Sequence, residues 1–109
     1  MNDTITAIST AVGNSGISII RISGEDAFNI AGKLMKLSST DVDKIDSHSI
    51  KYGHIYNETD VVDEVLVSFM KGPRTYTRED VVEINCHGGA FITKKVLETA
   101  IMAGARLAE

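Results

Sequence analysis

Two charged residues stand within otherwise apolar strand segments and could do chemistry together. Arg21 shares a strand face with Ile17 and Ile19, and Glu83 interrupts the apolar run of Val81-Val82-Glu83-Ile84-Asn85-Cys86-His87-Gly88-Gly89. A guanidinium among isoleucines needs an anionic partner or a route to water. Glu83 supplies that partner if the two strands are neighbours. Two chemistries are then open. In the first the pair is structural and buried, and removing Arg21 strands a charge at a cost of about 3–5 kcal/mol. In the second both groups line a pocket and hold a polar ligand, with the carboxylate accepting from ring N–H groups and the guanidinium meeting a carbonyl or carboxylate.

The stretch around Glu83 is the most informative in the chain. Alternation puts Val82, Ile84 and Cys86 on one face and Glu83, Asn85 and His87 on the other. The strand runs into Gly88-Gly89 and then a helix, whose first N–H groups lack intrahelical partners. That turn either presents N–H groups to a ligand or simply makes a tight strand-to-helix corner. Cys86 falls on the core face and reads as a small buried hydrophobe, not a nucleophile. His48, His54 and His87 have no metal-ligand spacing with cysteine or with one another. Residues 76–80 read as a turn with solvated charges. No Ser/His/Asp arrangement suggests itself, and there is no Gly-x-x-x-x-Gly-Lys-Ser/Thr loop. The expected catalytic set is therefore none, and the expected metal set none. The residues by themselves point to a binding domain with a polar edge.

The elements that must position these groups follow from periodicity and punctuation. Residues 4–10 and 17–23 read as strands around a glycine-marked loop at 11–16. Ser23 and Asp26 have capping-box spacing, and the helix after them places Ala27, Ile30, Ala31 and Leu34 on one face. Residues 38–49 are polar and read as a mobile loop. Residues 50–56 and 61–70 form a strand pair around Asn57-Glu58-Thr59-Asp60, and Lys71-Gly72-Pro73-Arg74 breaks the chain. The strand holding Glu83 follows. A second helix spans 91–103, with Gly104 where a C-terminal cap belongs. Residues 105–108 start a further strand. The fold class is α+β, a mixed β-sheet with two helices in the order ββαβββα.

Composition narrows the function classes. The 109 residues suit one small domain, and 43% hydrophobic residues support a modest core. Domains of this size bury little surface, so association with a partner is expected. A net charge of −4 and the absence of a basic run argue against direct phosphate-driven nucleic-acid binding. One cysteine excludes an internal disulfide and suits a reducing compartment. No apolar run approaches the roughly 20 residues of a membrane span. The start lacks the basic and apolar segments of a signal peptide, so a cytoplasmic location is expected. The chain stops just after a nascent strand and reads as a piece of something longer.

One family has the same residues in the same order. Asp3-Thr4-Ile5, Ala7-Ile8-Ser9-Thr10, Gly13, Gly16, Ile20-Arg21-Ile22-Ser23-Gly24, Tyr76-Thr77, Glu79 through Gly89 and Gly104-Ala105-Arg106-Leu107-Ala108-Glu109 resemble the N-terminal domain of the TrmE (MnmE) family of tRNA modification GTPases. The resemblance covers the whole chain. It implies that 1–109 is a tetrahydrofolate-binding and dimerisation domain, similar to one half of an aminomethyltransferase-type folate-binding domain. The helical domain and the G domain would lie past Glu109. Carried over residue by residue, the family's folate-contacting arginine falls on Arg21 and its glutamate on Glu83. A third contact, a lysine, lies past Glu109, and Cys86 does not inherit the family's functional cysteine. The implied cofactors are 5-formyl- or methylene-tetrahydrofolate here, and GTP, magnesium and potassium in the G domain. The implied partners are a second copy in a homodimer, a flavin-dependent modification protein and tRNA, without a membrane. The implied reaction adds an aminomethyl-type group, carboxymethylaminomethyl, at C5 of the wobble uridine. The sequence departs from the family at Ala11-Val12, where Pro-Pro is usual, at Asn14-Ser15, where Arg-Gly is usual, and at Arg78, where Gly is common. These differences put ligand contacts from the first loop in doubt.

Two other functions compete. One is a structural dimerisation module in which Arg21 and Glu83 only bind each other. The other is a free-standing folate-dependent aminomethyl-transfer enzyme, which the length disfavours because such an enzyme needs both halves.

Overall fold

The computed structural model describes residues 4–9, 16–73 and 78–108. Residues 11–15 of the glycine-marked first loop, the Tyr76-Thr77 pair and Glu109 lie outside the described residues. Nine elements follow in order: β1 (Ile5–Ile8), β2 (Ile17–Ser23), α1 (Ala27–Leu34), α2 (Ser39–Asp43), β3 (Ser49–Asn57), β4 (Asp60–Met70), β5 (Val81–His87), α3 (Ala90–Met102) and β6 (Arg106–Leu107). The strands form one sheet in the order β3-β4-β5-β2-β1-β6, antiparallel except for the parallel β1–β6 pair. This is the expected α+β mixed sheet, with the short helix α2 added and the strand expected at residues 105–108 present as β6.

One sheet face and the helices make the core. Ile20 and Ile22 of β2, Val65, Val67 and Phe69 of β4, and Val82, Ile84 and Cys86 of β5 are at most 5% exposed. They pack with the α1 face expected from periodicity, Ala27, Ile30, Ala31 and Leu34, and with Val96 of α3. Phe28 meets Phe69 edge to face, with centroids 5.2 Å apart, a geometry that adds about 0.5–1.5 kcal/mol beyond area burial.

The helix ends show where sequence signals succeed and fail. The capping box expected at Ser23 and Asp26 does not form. Ser23 is the last residue of β2, in register with Ile5 and Val81. The helix therefore starts at Ala27, and the Asp26 N–H donates to Thr4 Oγ1 at 3.0 Å. The same spacing recurs at Ser38 and Asp41, and there the cap is real: Ser38 Oγ accepts from the Asp41 N–H at 3.1 Å. It nucleates α2 inside the stretch expected to be a loop, and Val42 ties that turn to the core at 8% exposure. At the end of α3, Ala105 N–H reaches Ala100 O and Gly104 N–H reaches Ile101 O, both at 3.1 Å. This is a Schellman closure with Gly104 at φ +124, where a Cβ would be strained. It turns the chain so that Arg106 N–H meets Thr4 O at 2.8 Å and Ala108 N–H meets Thr6 O at 2.9 Å. The final strand thus completes its own sheet beside β1.

α1 and α2 approach so closely at Gly32 that a Cβ there would lie 2.4 Å from Val42 Cγ2. Replacing a helical glycine by alanine gains up to about 1 kcal/mol in propensity, while overpacking costs about 1–3 kcal/mol. Valine is stiff at χ1 and cannot swing aside, so the clash should win. Gly32→Ala is expected to lower stability by about 1–2 kcal/mol in urea unfolding. In the Val42→Ala background the same change should become neutral or stabilising.

Candidate functional site

The register of the central strands lays the chemically useful side chains in rows across the face opposite the helices. In the first row Ala7, Arg21, Glu83 and Ser68 stand side by side on β1, β2, β5 and β4, and Ile50 of β3 follows. In the second row stand Ile19, Asn85, Leu66 and Tyr52. In the third, Ile17 is opposite His87, and Glu64 is opposite His54. Rows lie two residues apart along each strand, about 7 Å. This face is apolar as well as polar: Ile17, Ile50, Tyr52 and Leu66 are each roughly half to two-thirds exposed.

Arg21 and Glu83 meet directly, as their strand faces require. Arg21 Nη2 donates to Glu83 Oε2 at 2.6 Å and Nε donates to the same oxygen at 3.0 Å. Their side chains are 44% and 25% exposed. Both bonds end on one oxygen, so Oε1 carries no bond to another described residue, and the outer guanidinium nitrogen is likewise uncommitted. The arrangement is therefore not a sealed ion pair. It offers one acceptor and one donor of opposite charge, side by side, on an accessible sheet face.

The end of β5 holds a second oriented group. Asp63 Oδ2 accepts the His87 backbone N–H and Oδ1 sits on His87 Nδ1, both at 2.7 Å. Asp63 is 9% exposed and His87 66%. Nearby, the Tyr52 hydroxyl donates to Glu64 Oε2. That bond, followed by desolvation and the Glu64 charge, pushes the phenol's pKa up and keeps it protonated. Ile17, Tyr52, Glu64, Leu66, Asn85 and His87 surround a hollow of about 330 Å³.

Cys86 is 2% exposed, on the core face as expected. Burial, first among its causes, pushes the thiol pKa up, opposite to what a nucleophile needs. It lies 3.3 Å from Ser18 Oγ, which in turn bonds Thr93 Oγ1 at 2.7 Å. This buried chain fastens the first turn of α3 to β2. The Gly88-Gly89 corner is structural: the Gly88 N–H is taken by Gly16 O at 3.0 Å, and Gly89 has φ +107. Of the residues singled out from sequence, Arg21 and Glu83 are thus brought together, and Cys86 and Gly88 are absorbed into the scaffold. His87 is exposed but anchored. Its partner Asp63 carried no sequence signal, because it sits on another strand at the core-face parity.

The chain resembles known proteins along its full length. The profile of a family described as GTP-binding protein TrmE N-terminus matches residues 4–109. The tRNA modification GTPase MnmE of Thermoanaerobacter pseudethanolicus is 58% identical over 110 residues, covering 98% of this chain and 24% of that protein. The protein of the same name from Streptococcus thermophilus is 52% identical over 107 residues, with 98% and 23% covered. That from Lachnoclostridium phytofermentans is 50% identical over 109 residues, with 98% and 24% covered. The chain spans about a quarter of the length of these curated relatives.

With Arg21 nearly half exposed, the pair belongs with surface ion pairs, whose contribution is about 0.2–1 kcal/mol. Arg21→Ala is expected to cost no more than about 1 kcal/mol in a ligand-free thermal melt, well short of the value for a buried pair. A loss near 3 kcal/mol would assign the pair to the fold.

Proposed function

Since the chain belongs to the TrmE N-terminal family, we propose that it is the folate-binding and homodimer-forming domain of a tRNA modification GTPase. The observation that carries this reading is the partly exposed Arg21–Glu83 pair, with one carboxylate oxygen and one guanidinium nitrogen uncommitted among the described residues. A reduced pterin carries ring N–H donors beside a carbonyl. Glu83 Oε1 would accept from the N–H groups and Arg21 would meet the carbonyl, each a charge-assisted bond. These residues fit 5-formyl- or methylene-tetrahydrofolate. When bound, that cofactor supplies the one-carbon unit, while Arg21 and Glu83 orient the ring.

The parent protein hydrolyses GTP in a G domain outside this chain, with magnesium and potassium there. The sequence here contains no phosphate-cradling loop to hold the nucleotide itself. In the cytoplasm, together with a flavin-dependent partner, the parent adds a carboxymethylaminomethyl-type group at C5 of the wobble uridine of tRNA. Ile17, Ile50, Tyr52 and Leu66, exposed on one sheet face, support burial of that face against a second copy. The folate would then sit near the subunit boundary. The direct 2.6 Å contact of Arg21 with Glu83 favours a second reading, a dimerisation module without ligand, and the same titration decides between them.

Calorimetry with 5-formyltetrahydrofolate is expected to show binding that Glu83→Ala weakens by roughly 10- to 100-fold, the value of a hydrogen bond to a charged group. Identical heats from both proteins would place the site elsewhere. In sedimentation at micromolar concentration the chain is expected to run as a dimer and Leu66→Asp as a monomer. A wild-type monomer would refute association through this face.

A further inference from the structure

At the end of the strand that carries Glu83, His87 is held by Asp63 of β4, a core-parity residue, more carefully than a surface contact requires. Asp63 is nearly buried, and both its oxygens are committed to one residue, Oδ2 to the His87 backbone N–H and Oδ1 to Nδ1, each at 2.7 Å. A carboxylate only accepts, so Nδ1 is the nitrogen that donates to Asp63, and in the imidazole form of the ring Nε2 is the acceptor. The ring itself is two-thirds exposed. It stands at the rim of the hollow that Ile17, Leu66 and Asn85 help to form. From Glu83 to His87 is four residues of strand, about 13 Å.

We infer that the ligand groove runs along β5 from Arg21–Glu83 to His87, and that His87, held by Asp63, accepts a hydrogen bond from the amide at the far end of an aminobenzoyl-type tail. This rests on the folate reading of the first row. The head ring occupies that row, the tail's aromatic ring lies over the second between Ile19 and Leu66, and the amide that follows the ring falls within reach of His87 Nε2. The apolar second row suits an uncharged aromatic ring, and the carboxylates of Asp63 and Glu64 disfavour an anion there. The amide N–H, a neutral donor, matches the acceptor that Asp63 creates. His87 is thus a positioning residue for the tail, and Asp63 acts through it.

The test compares a tailed ligand with a tailless one. Affinity is measured for 5-formyltetrahydrofolate directly and for 6-methyltetrahydropterin by competition, in wild-type protein, Glu83→Ala and His87→Asn. The asparagine amide can still donate to Asp63, so the strand end is kept while Nε2 is removed; thermal melts check this. His87→Asn is expected to weaken the tailed ligand about five- to tenfold, one neutral hydrogen bond, and to leave the tailless pterin within about twofold. Glu83→Ala should weaken both. If His87→Asn binds the tailed ligand as wild type does while Glu83→Ala loses it, the folate site stands and the extended groove is overturned. If Glu83→Ala loses neither ligand, the reading of the first row fails and this inference falls with it.

Discussion

Seven consecutive antiparallel pairs between β2 and β5, from Ile17 opposite His87 to Ser23 opposite Val81, hold the middle of the sheet and decide what every other element can do. Strand side chains alternate with a period of two, so a slip of one residue would exchange the faces. Ile20, Ile22, Val82, Ile84 and Cys86 would turn outward, and Arg21 and Glu83 would be driven under the helices. The fully buried residues make that slip prohibitively costly, since each large aliphatic side chain contributes about 1.5–3 kcal/mol on burial. The position of the charged pair is thus fixed by carbon on the far side of the same two strands, and not by the strength of the ion pair itself.

That division of labour lets a modest electrostatic interaction serve the proposed folate site. An exposed ion pair contributes little to stability, so the fold does not depend on it. Its two groups can exchange part of their mutual contact for a ligand without unfolding anything. The buried chain from Cys86 through Ser18 to Thr93 and the Gly88–Gly16 contact brace the opposite side of β5. The open face thereby receives a strand whose C-terminal end is hydrogen-bonded from behind.

Much of this was legible in the residues. The pairing of Arg21 with Glu83 followed from two charges in apolar strands, and the placement of Cys86 from parity alone. The α1 face followed from the spacing of Ala27, Ile30, Ala31 and Leu34. What stayed hidden was set by tertiary context. Ser23 carried a capping signal but was claimed by strand pairing, while Ser38, in a stretch read as a loop, nucleated a real turn because Val42 could reach the core beside Gly32. Asp63 gave no signal because its meaning depends on a strand 24 residues away. The destination of β6 depended on the Schellman turn at Gly104, which sends the chain back to β1.

The separation of 62 residues between Arg21 and Glu83 also imposes an order on how the chain comes into being. β3 and β4 are joined by a tight connection and can pair as soon as both exist. β2 has only the four-residue β1 beside it until β5 is made, and a lone two-stranded ribbon is marginal in water. At synthesis rates of about 5–20 residues per second, the wait is roughly 3–12 s. During it an isoleucine-rich strand, Ile17, Ile19, Ile20 and Ile22, is open to other nascent chains. A charge inside such a segment is what suppresses sticking between chains. Arg21 therefore serves the protein before there is a site to serve, as the gatekeeper of its own strand.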